Sequence, residues 1–475
     1  MFPKTKINKE EFLKIVSQTI QDCKDKKIRN PQIDLLRHLP NLILSNNYFK
    51  TTTDNHTLFW YREGVYIEEG AEATCKRTIN SYTNILPKDQ KRRAGIRLER
   101  EIINAIKNLT YIERKEFNGN LDWVVVKNGI YDLSQKKLLP HTPEYYATVK
   151  FPIVYNPEIK FEGSECEKFI KSVVASENNF EVIQEIFGWF LIFKYEPQKA
   201  IQLVGGGANG KTTLARLMET FMGRENVVAV ALQDFGNDRF ATSELYNKLA
   251  CIKPDLESTA LQKTGEFKAI TGGDLLQGQK KFKDPFTFVN FAKLFYCCNE
   301  IPLTNDSSDA FYRRWIILMF TKVFKGENRI ENYIEKLVTE KELTGLFNWA
   351  LEGYERLKKN NRFCFDDSQI ADLYNRMSST IQSFAAECLE FKSNSTISIL
   401  YKDLYKAYCV YCEENVCPVL TTIAFAKKFR AIFDIKESKQ SVKNEKGETT
   451  GRVLCYTNVG LLEKNEKPER TIHEC

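Results

Sequence analysis

The run Gly205-Gly206-Gly207-Ala208-Asn209-Gly210-Lys211-Thr212 fills every fixed position of the phosphate-binding pattern G-x-x-x-x-G-K-[ST]. Its chemistry is nucleoside triphosphate binding. The glycines accept positive φ and let backbone N–H groups point at phosphate oxygens, while a helix opening at the lysine adds the positive end of its dipole. Lys211 would reach the β- and γ-phosphates, the Thr212 hydroxyl would ligate Mg²⁺, and Thr213 adjoins the same cradle. ATP and Mg²⁺ are therefore the expected cofactors. The alternative is a plain Gly-rich turn. Context speaks against it, because Ala200-Ile201-Gln202-Leu203-Val204 reads as a short buried strand. Thr212 to Met222 reads as a helix with Leu214, Leu217, Met218 and Phe221 on one face.

Three further groups of residues could act on a bound triphosphate. An apolar segment ends in carboxylates at Pro254-Asp255-Leu256-Glu257, which has the form of a Walker B strand. Asp255 suits the metal's water shell and Glu257 a base that polarises the attacking water; a solvated helix cap is the alternative. Asn299 closes the β-favouring run Phe291 to Cys298 and suits a γ-phosphate sensor, or simply starts the turn Asn299-Glu300-Ile301-Pro302. Arg313 and Arg314 open another apolar strand, where a planar guanidinium could stabilise charge on a transferring phosphoryl group in a neighbouring subunit, or lie on the surface.

Between the acid-tipped strand and the Asn-tipped strand lie Thr271-Gly272-Gly273-Asp274 and then Gln279-Lys280-Lys281-Phe282-Lys283-Asp284. This order resembles the superfamily 3 (AAA+) helicases, most narrowly the helicase part of poxvirus, satellite-phage and archaeal-plasmid primase-helicases. The resemblance covers residues from about 55 to 462 with varying strength. It includes Val126 to Leu133, Pro140 to Pro143 and Gln184 to Trp189 upstream, and Ile399 to Tyr408 through Arg452 to Tyr456 downstream.

The resemblance implies a multidomain α/β chain: an AAA+ P-loop ATPase core, a mostly α, collar-like N-terminal region and a C-terminal winged helix. It also implies a homo-oligomeric ring, a hexamer, that translocates on single-stranded DNA and unwinds forks during replication of a virus, plasmid or other mobile element. Residue by residue, it gives Lys211 and Thr212 the triphosphate and metal contacts, Asp255 the Walker B acid, Asn299 the sensor and Arg314 the trans-acting arginine. Arg313 is the near alternative. Lys280, Lys281 and Lys283 fall on the hairpin that grips single strands. Lysines there would bind phosphates without regard to sequence, and Phe282 could rest against a base or sugar. The family often has adjacent acids at Walker B, so the general base stays open here. About fifty residues ahead of the resemblance leave no room for a primase domain, so the expectation is unwinding without priming, with any primase or polymerase a separate partner. A DNA-stimulated P-loop ATPase acting as an origin-binding initiator or remodelling factor is the alternative function.

The elements that must position these residues divide the 475-residue chain into four expected parts. They are a helical segment at 1–50, ending near Pro40 and Asn46, an α+β region at 51–197, the ATPase at 198–375, and a winged-helix domain with tail at 380–475. Glu63-Gly64 suggests a hairpin turn, and Lys427, Lys428 and Arg430 lie on the expected recognition helix. An apolar fraction of 43% with 12% aromatics is globular, and a formal charge of +7 favours an acidic partner only weakly. With no apolar run of about eighteen residues, the chain is expected to be soluble and cytoplasmic, with no membrane partner. Its thirteen cysteines are scattered as buried reduced thiols would be. Cys409 and Cys412, with Cys417 nearby, have metal-ligand spacing, yet with Tyr405 and Tyr408 they read as one face of a core helix.

Overall fold

The computed structural model describes residues 31–83, 96–174, 176–257, 259–281, 284–304, 308–324, 332–368, 380–392, 397–415, 419–433, 435–443 and 449–462, with single positions 14, 18, 306, 370, 371, 373 and 374. The chain is a mixed α/β protein built from several sheets. It opens on α1 (Pro31–Asn46), β1 (Phe49–Thr52), β2 (Leu58–Arg62), β3 (Val65–Ile67), α2 (Ala71–Thr83), α3 (Ile96–Leu109) and β4 (Tyr111–Ile112). The stop expected near Pro40 does not occur. The ring removes one N–H, but Leu39, Leu42 and Ile43 on either side are buried, and that burial carries the helix through. The sheet runs β3-β2-β1-β4, with its turn at Glu63-Gly64. Both turn residues have positive φ, 48° and 98°, as a two-residue type I′ turn requires. Leu98, Ile102 and Ile106 recur at helical spacing on α3 and bury against Phe49, Leu58, Cys75 and Ile79.

A three-stranded meander follows, β5 (Trp123–Val126), β6 (Gly129–Asp132) and β7 (Lys137–Leu139), and then α4 (Glu165–Val173) and α5 (Glu177–Trp189). Ser164 and Ser176 cap these helices by accepting from the backbone N–H of Glu167 and Asn179.

The central sheet is entirely parallel. Its strands are β8 (Ala200–Val204), β9 (Val227–Val228), β10 (Ala250–Lys253), β13 (Lys293–Cys298) and β14 (Trp315–Met319), in the order β14-β8-β13-β10-β9. Unbroken apolar runs such as Leu294–Cys298 are what a strand covered on both faces needs, and Ala200–Val204 is likewise buried throughout, with Gln202 as its one polar residue. Helix α6 (Lys211–Met222) follows β8, and α7 (Gly265–Gly272) leads into the antiparallel hairpin β11 (Leu275–Gly278) and β12 (Phe286–Val289). Helix α8 (Glu340–Asn360) packs along α5 at close range. A Cβ on Gly188 would lie 2.3 Å from Tyr354 N, and one on Gly353 2.3 Å from Gln184 O. Only glycine permits that crossing.

The C-terminal part comprises α9 (Thr380–Cys388), β15 (Leu389–Phe391), β16 (Ser398–Leu400), α10 (Tyr401–Glu414), α11 (Thr422–Ile432), β17 (Lys436–Lys443), β18 (Thr449–Thr457) and β19 (Val459–Leu461). Three helices precede the β17–β18 hairpin, whose turn at 444–448 lies outside the described residues. Tyr408 and Cys412 are buried on α10 and Cys409 is half-buried; Cys417 lies outside the described residues. Among the described residues no helix is long and apolar enough to cross a membrane, and no His/Cys/Asp/Glu cluster could hold a metal.

Candidate functional site

Strand β8 delivers the glycine-rich loop to the carboxyl edge of the sheet, and the next strands fasten it there. Gly205 N–H donates to Cys298 O at 3.3 Å, Phe324 N–H to Ala208 O at 2.7 Å, and the buried Asn209 donates its Nδ2 to Phe320 O at 2.9 Å. Gly205 has no room for a Cβ, which would sit 2.3 Å from Phe320 O, and Gly210 caps α6 at φ 86°. Ala208 also has positive φ, 57°. Gly206 and Gly207, by contrast, face open space.

Lys211 is buried and folded back into the loop. Its Nζ donates to Gly205 O at 2.7 Å, Gly206 O at 2.9 Å and Asn209 Oδ1 at 3.0 Å. Burial pulls its pKa below the ordinary lysine value, against the opposing charge of the Asp255 carboxylate. Thr212 is exposed at the first turn of α6 and Thr213 half-buried beside it. A concave loop with open glycines, a helix N-terminus and a neighbouring ammonium fits a triphosphate.

Asp255 and Glu257 are both exposed beyond the end of β10, and between them Leu256 N–H donates to Cys297 O at 2.8 Å. That bond ties the acidic loop to β13. Asn299 is exposed at the tip of β13, so the loop after β8, Asp255, Glu257 and Asn299 all lie at one edge of three hydrogen-bonded strands. This is the edge where parallel α/β sheets bind ligands.

The two arginines separate. Arg314 is buried, and its Nε donates to Thr271 Oγ1 at 2.9 Å, one terminal nitrogen to Ala310 O, and the other to Gln198 Oε1 at 3.4 Å. The Arg313 side chain is 57% exposed and, among the described residues, makes a 3.8 Å ion pair to Asp309. The apolar strand begins after them, at Trp315, because Asp309–Tyr312 forms a helical turn first.

Lys280 and Lys281 stand at the tip of the β11–β12 hairpin; Phe282 and Lys283 fall outside the described residues. Lys280 pairs with Glu68 at 3.5 Å and Lys281 lies over the Phe240 ring at 5.8 Å. Lower down, the Arg114 guanidinium lies 4.6 Å from the centroids of both Tyr246 and Phe286. It is held edge-on by Asp54, at 2.6 and 2.9 Å. Burial works against the Asp54 charge, yet the Arg114 bonds keep its carboxyl below the ordinary value. No sequence signal marks Arg114, since its partners come from three distant segments. At the opposite flank, Lys428 of α11 pairs with Glu300, the residue after Asn299.

Residues 34–175 match the family described as D5 N terminal like, and residues 203–314 the "Family of unknown function (DUF5906)". Three viral proteins bearing the name "Putative helicase" are similar. L207/L206 of Acanthamoeba polyphaga mimivirus is 26% identical over 162 residues, 33% of this chain and 17% of that protein. For 184R of Invertebrate iridescent virus 6 the figures are 26% over 231 residues, 44% and 23%, and for 121R of Invertebrate iridescent virus 3 they are 29% over 253 residues, 46% and 25%. The chain is thus similar to a D5-like family over its N-terminal part and, in part, to viral proteins named putative helicases. Its matches span a quarter or less of those relatives' length. Among solved structures, the A form apo structure of the NrS-1 C-terminal region covers 88% of this chain and 97% of that one at TM-score 0.43 and 11% identity, a loose likeness that adds no argument. The D5-like N-terminal stretch contains Asp54, Glu68 and Arg114, the residues that grip the hairpin. The second matched stretch runs from Leu203 to Arg314 and so encloses the loop, both acids, Asn299 and the hairpin.

Proposed function

We propose that this chain is a D5-type, ATP-driven DNA helicase with a superfamily 3 (AAA+) core, working as a ring on single-stranded DNA in replication of a virus or other mobile element. The observation that carries the proposal is the gathering of Lys211, Thr212, Asp255 and Asn299 at one edge of a parallel sheet whose next excursion is a lysine-tipped hairpin. The amides of 206–210 and Lys211 would hold the phosphates of ATP, and Thr212 with Asp255 would hold Mg²⁺. Bound Mg·ATP supplies the phosphoryl group to be transferred. Asn299 orients the attacking water, and Glu257 is the carboxylate on the same loop for its proton. Arg313, exposed and weakly paired, is the guanidinium free to reach a neighbouring subunit's site. Lys280 and Lys281 take the DNA backbone. The C-terminal helices and hairpin form the winged helix, with Lys427 and Arg430 on its outward face and Lys428 turned inward.

The Lys428–Glu300 pair favours one second reading, an initiator whose duplex-binding end controls the ATPase without processive unwinding. A forked-duplex assay with ATP, run beside sizing with and without nucleotide, separates the two. Strand separation that disappears in Lys211→Ala supports the helicase. Turnover stimulated by DNA with the fork left intact supports the initiator, and a monomer at full turnover with DNA and ATP present refutes the ring.

A further inference from the structure

We infer that Arg314 is a positioning residue: it ties the hairpin's root to the strand that braces the phosphate loop, so that nucleotide state and DNA grip change together. The inference rests on the reading that the hairpin lysines hold DNA.

The location of Arg314 argues first against direct chemistry. Ala200 N–H donates to Arg314 O at 2.6 Å, so this arginine stands at the start of β8 and β14, whereas the phosphate loop follows the far end of β8. Five residues of strand at ~3.3 Å each put roughly 15 Å between the two ends. The subunit's own nucleotide lies beyond its reach. To act on a neighbour it would have to leave a buried position and break bonds to Thr271, Ala310 and Gln198. Arg313 faces no such cost.

The bonding pattern shows what Arg314 holds instead. Thr271 is fully buried in the last turn of α7, where its Oγ1 accepts from Arg314 Nε and donates to Phe267 O at 2.6 Å. Gln198, the second partner, donates to Gly272 O at 3.1 Å. Both partners therefore grip the turn that ends at Gly273, φ 76°, immediately before β11. At its other end β14 passes into Phe320, whose N–H donates to Val204 O at 2.8 Å and whose carbonyl accepts from Asn209. Asn209 in turn accepts from Lys211. One five-residue strand thus has the phosphate loop at one end and the hairpin's root at the other. A lysine could keep the charge of Arg314 but could not span Thr271, Ala310 and Gln198 at once.

The test measures single-stranded oligonucleotide affinity by fluorescence anisotropy with no nucleotide, with ADP and with a non-hydrolysable ATP analogue. Wild type is compared with Arg314→Lys and with Thr271→Val, which keeps buried volume; thermal unfolding checks that each variant is folded. In wild type, nucleotide should change DNA affinity by roughly 5-fold or more. In both variants that factor should fall toward one while nucleotide affinity is kept, and the double variant should be no worse than either alone. Wild-type DNA binding that ignores nucleotide, or a nucleotide effect that survives in both variants, would overturn the tie. Failure to bind oligonucleotide at all would sink the underlying helicase reading as well. If Arg314→Lys abolishes turnover while Thr271→Val is normal in every assay, Arg314 is a catalytic group and the inference is wrong.

Discussion

Replacing Arg114 with alanine should loosen the hairpin's hold on the D5-like N-terminal part. Its side chain is 9% exposed and holds Asp54, which is 33% exposed, with two parallel hydrogen bonds. Removing one member of a buried ion pair costs about 3–5 kcal/mol. Asp54 can recover much of its hydration once released, so about 2 kcal/mol is the fitting value for this half-open site. The Tyr246 and Phe286 faces, both 4.6 Å from the guanidinium, add about 0.5–1 kcal/mol each. Arg114, Asp54 and Tyr246 all lie outside the hairpin and stay together when it opens, so only the Phe286 contact, about 1 kcal/mol or roughly fivefold, enters the local opening equilibrium. Native-state hydrogen exchange across residues 275–289 reads that equilibrium directly. Arg114→Lys should recover less than half of the loss, because an ammonium cannot bond Asp54 edge-on while lying flat between two rings. Exchange that stays within about twofold of wild type in Arg114→Ala would refute this account of how the hairpin is held.

Three further outcomes follow from the packing and the charges. Gly188→Ala should destabilise the α5–α8 contact by roughly 1–3 kcal/mol, because the added methyl meets the α8 backbone; urea unfolding followed by tryptophan fluorescence should show an earlier midpoint. Arg356→Ala should cost about 3–5 kcal/mol in the same assay, since Glu185, with no side-chain exposure, would lose its cation and keep neutral partners such as the Cys364 N–H at 2.8 Å. Asp306 carries the pH dependence: burial would raise its pKa, but hydrogen bonds from Lys268, Ser308 and Thr264 outweigh burial and hold it far below 3.8. Its contribution, about 1 kcal/mol after solvent screening, is complete above that value and fades as pH falls below it. Asp306→Asn should therefore lie below wild type in thermal stability at pH 7, with the gap constant down to pH ~4 and closing on further acidification.

What the sequence made legible was local and contiguous. The strand, loop and helix from Ala200 to Met222 could be read because a fixed spacing of glycines lies between two apolar patterns, each with its own period. The turn at Glu63-Gly64 was readable for the same reason. Adjacent residues of one type were not separable: Arg313 and Arg314 differ only in what surrounds them, and Thr271 and Gln198 come from other segments. Strands β15 and β16, three residues each, are too short to show a period, and Pro40 marked a stop that burial of its neighbours overrode. Arg114 had no signature, because a cation between two rings is made by tertiary packing.

The inward tuck of Lys211 bears on discrimination between polyanions. A protein that handles DNA is surrounded by phosphates, and an ammonium presented openly would attract any of them. Here all three of its donors are spent on oxygens of its own loop, so a stray backbone phosphate gains little by approaching. Only an occupant that also fills the amide nest and meets the helix end can repay the lysine for turning outward. The two basic places in one chain, the loop and the hairpin, can thus face the same crowded solution without exchanging guests.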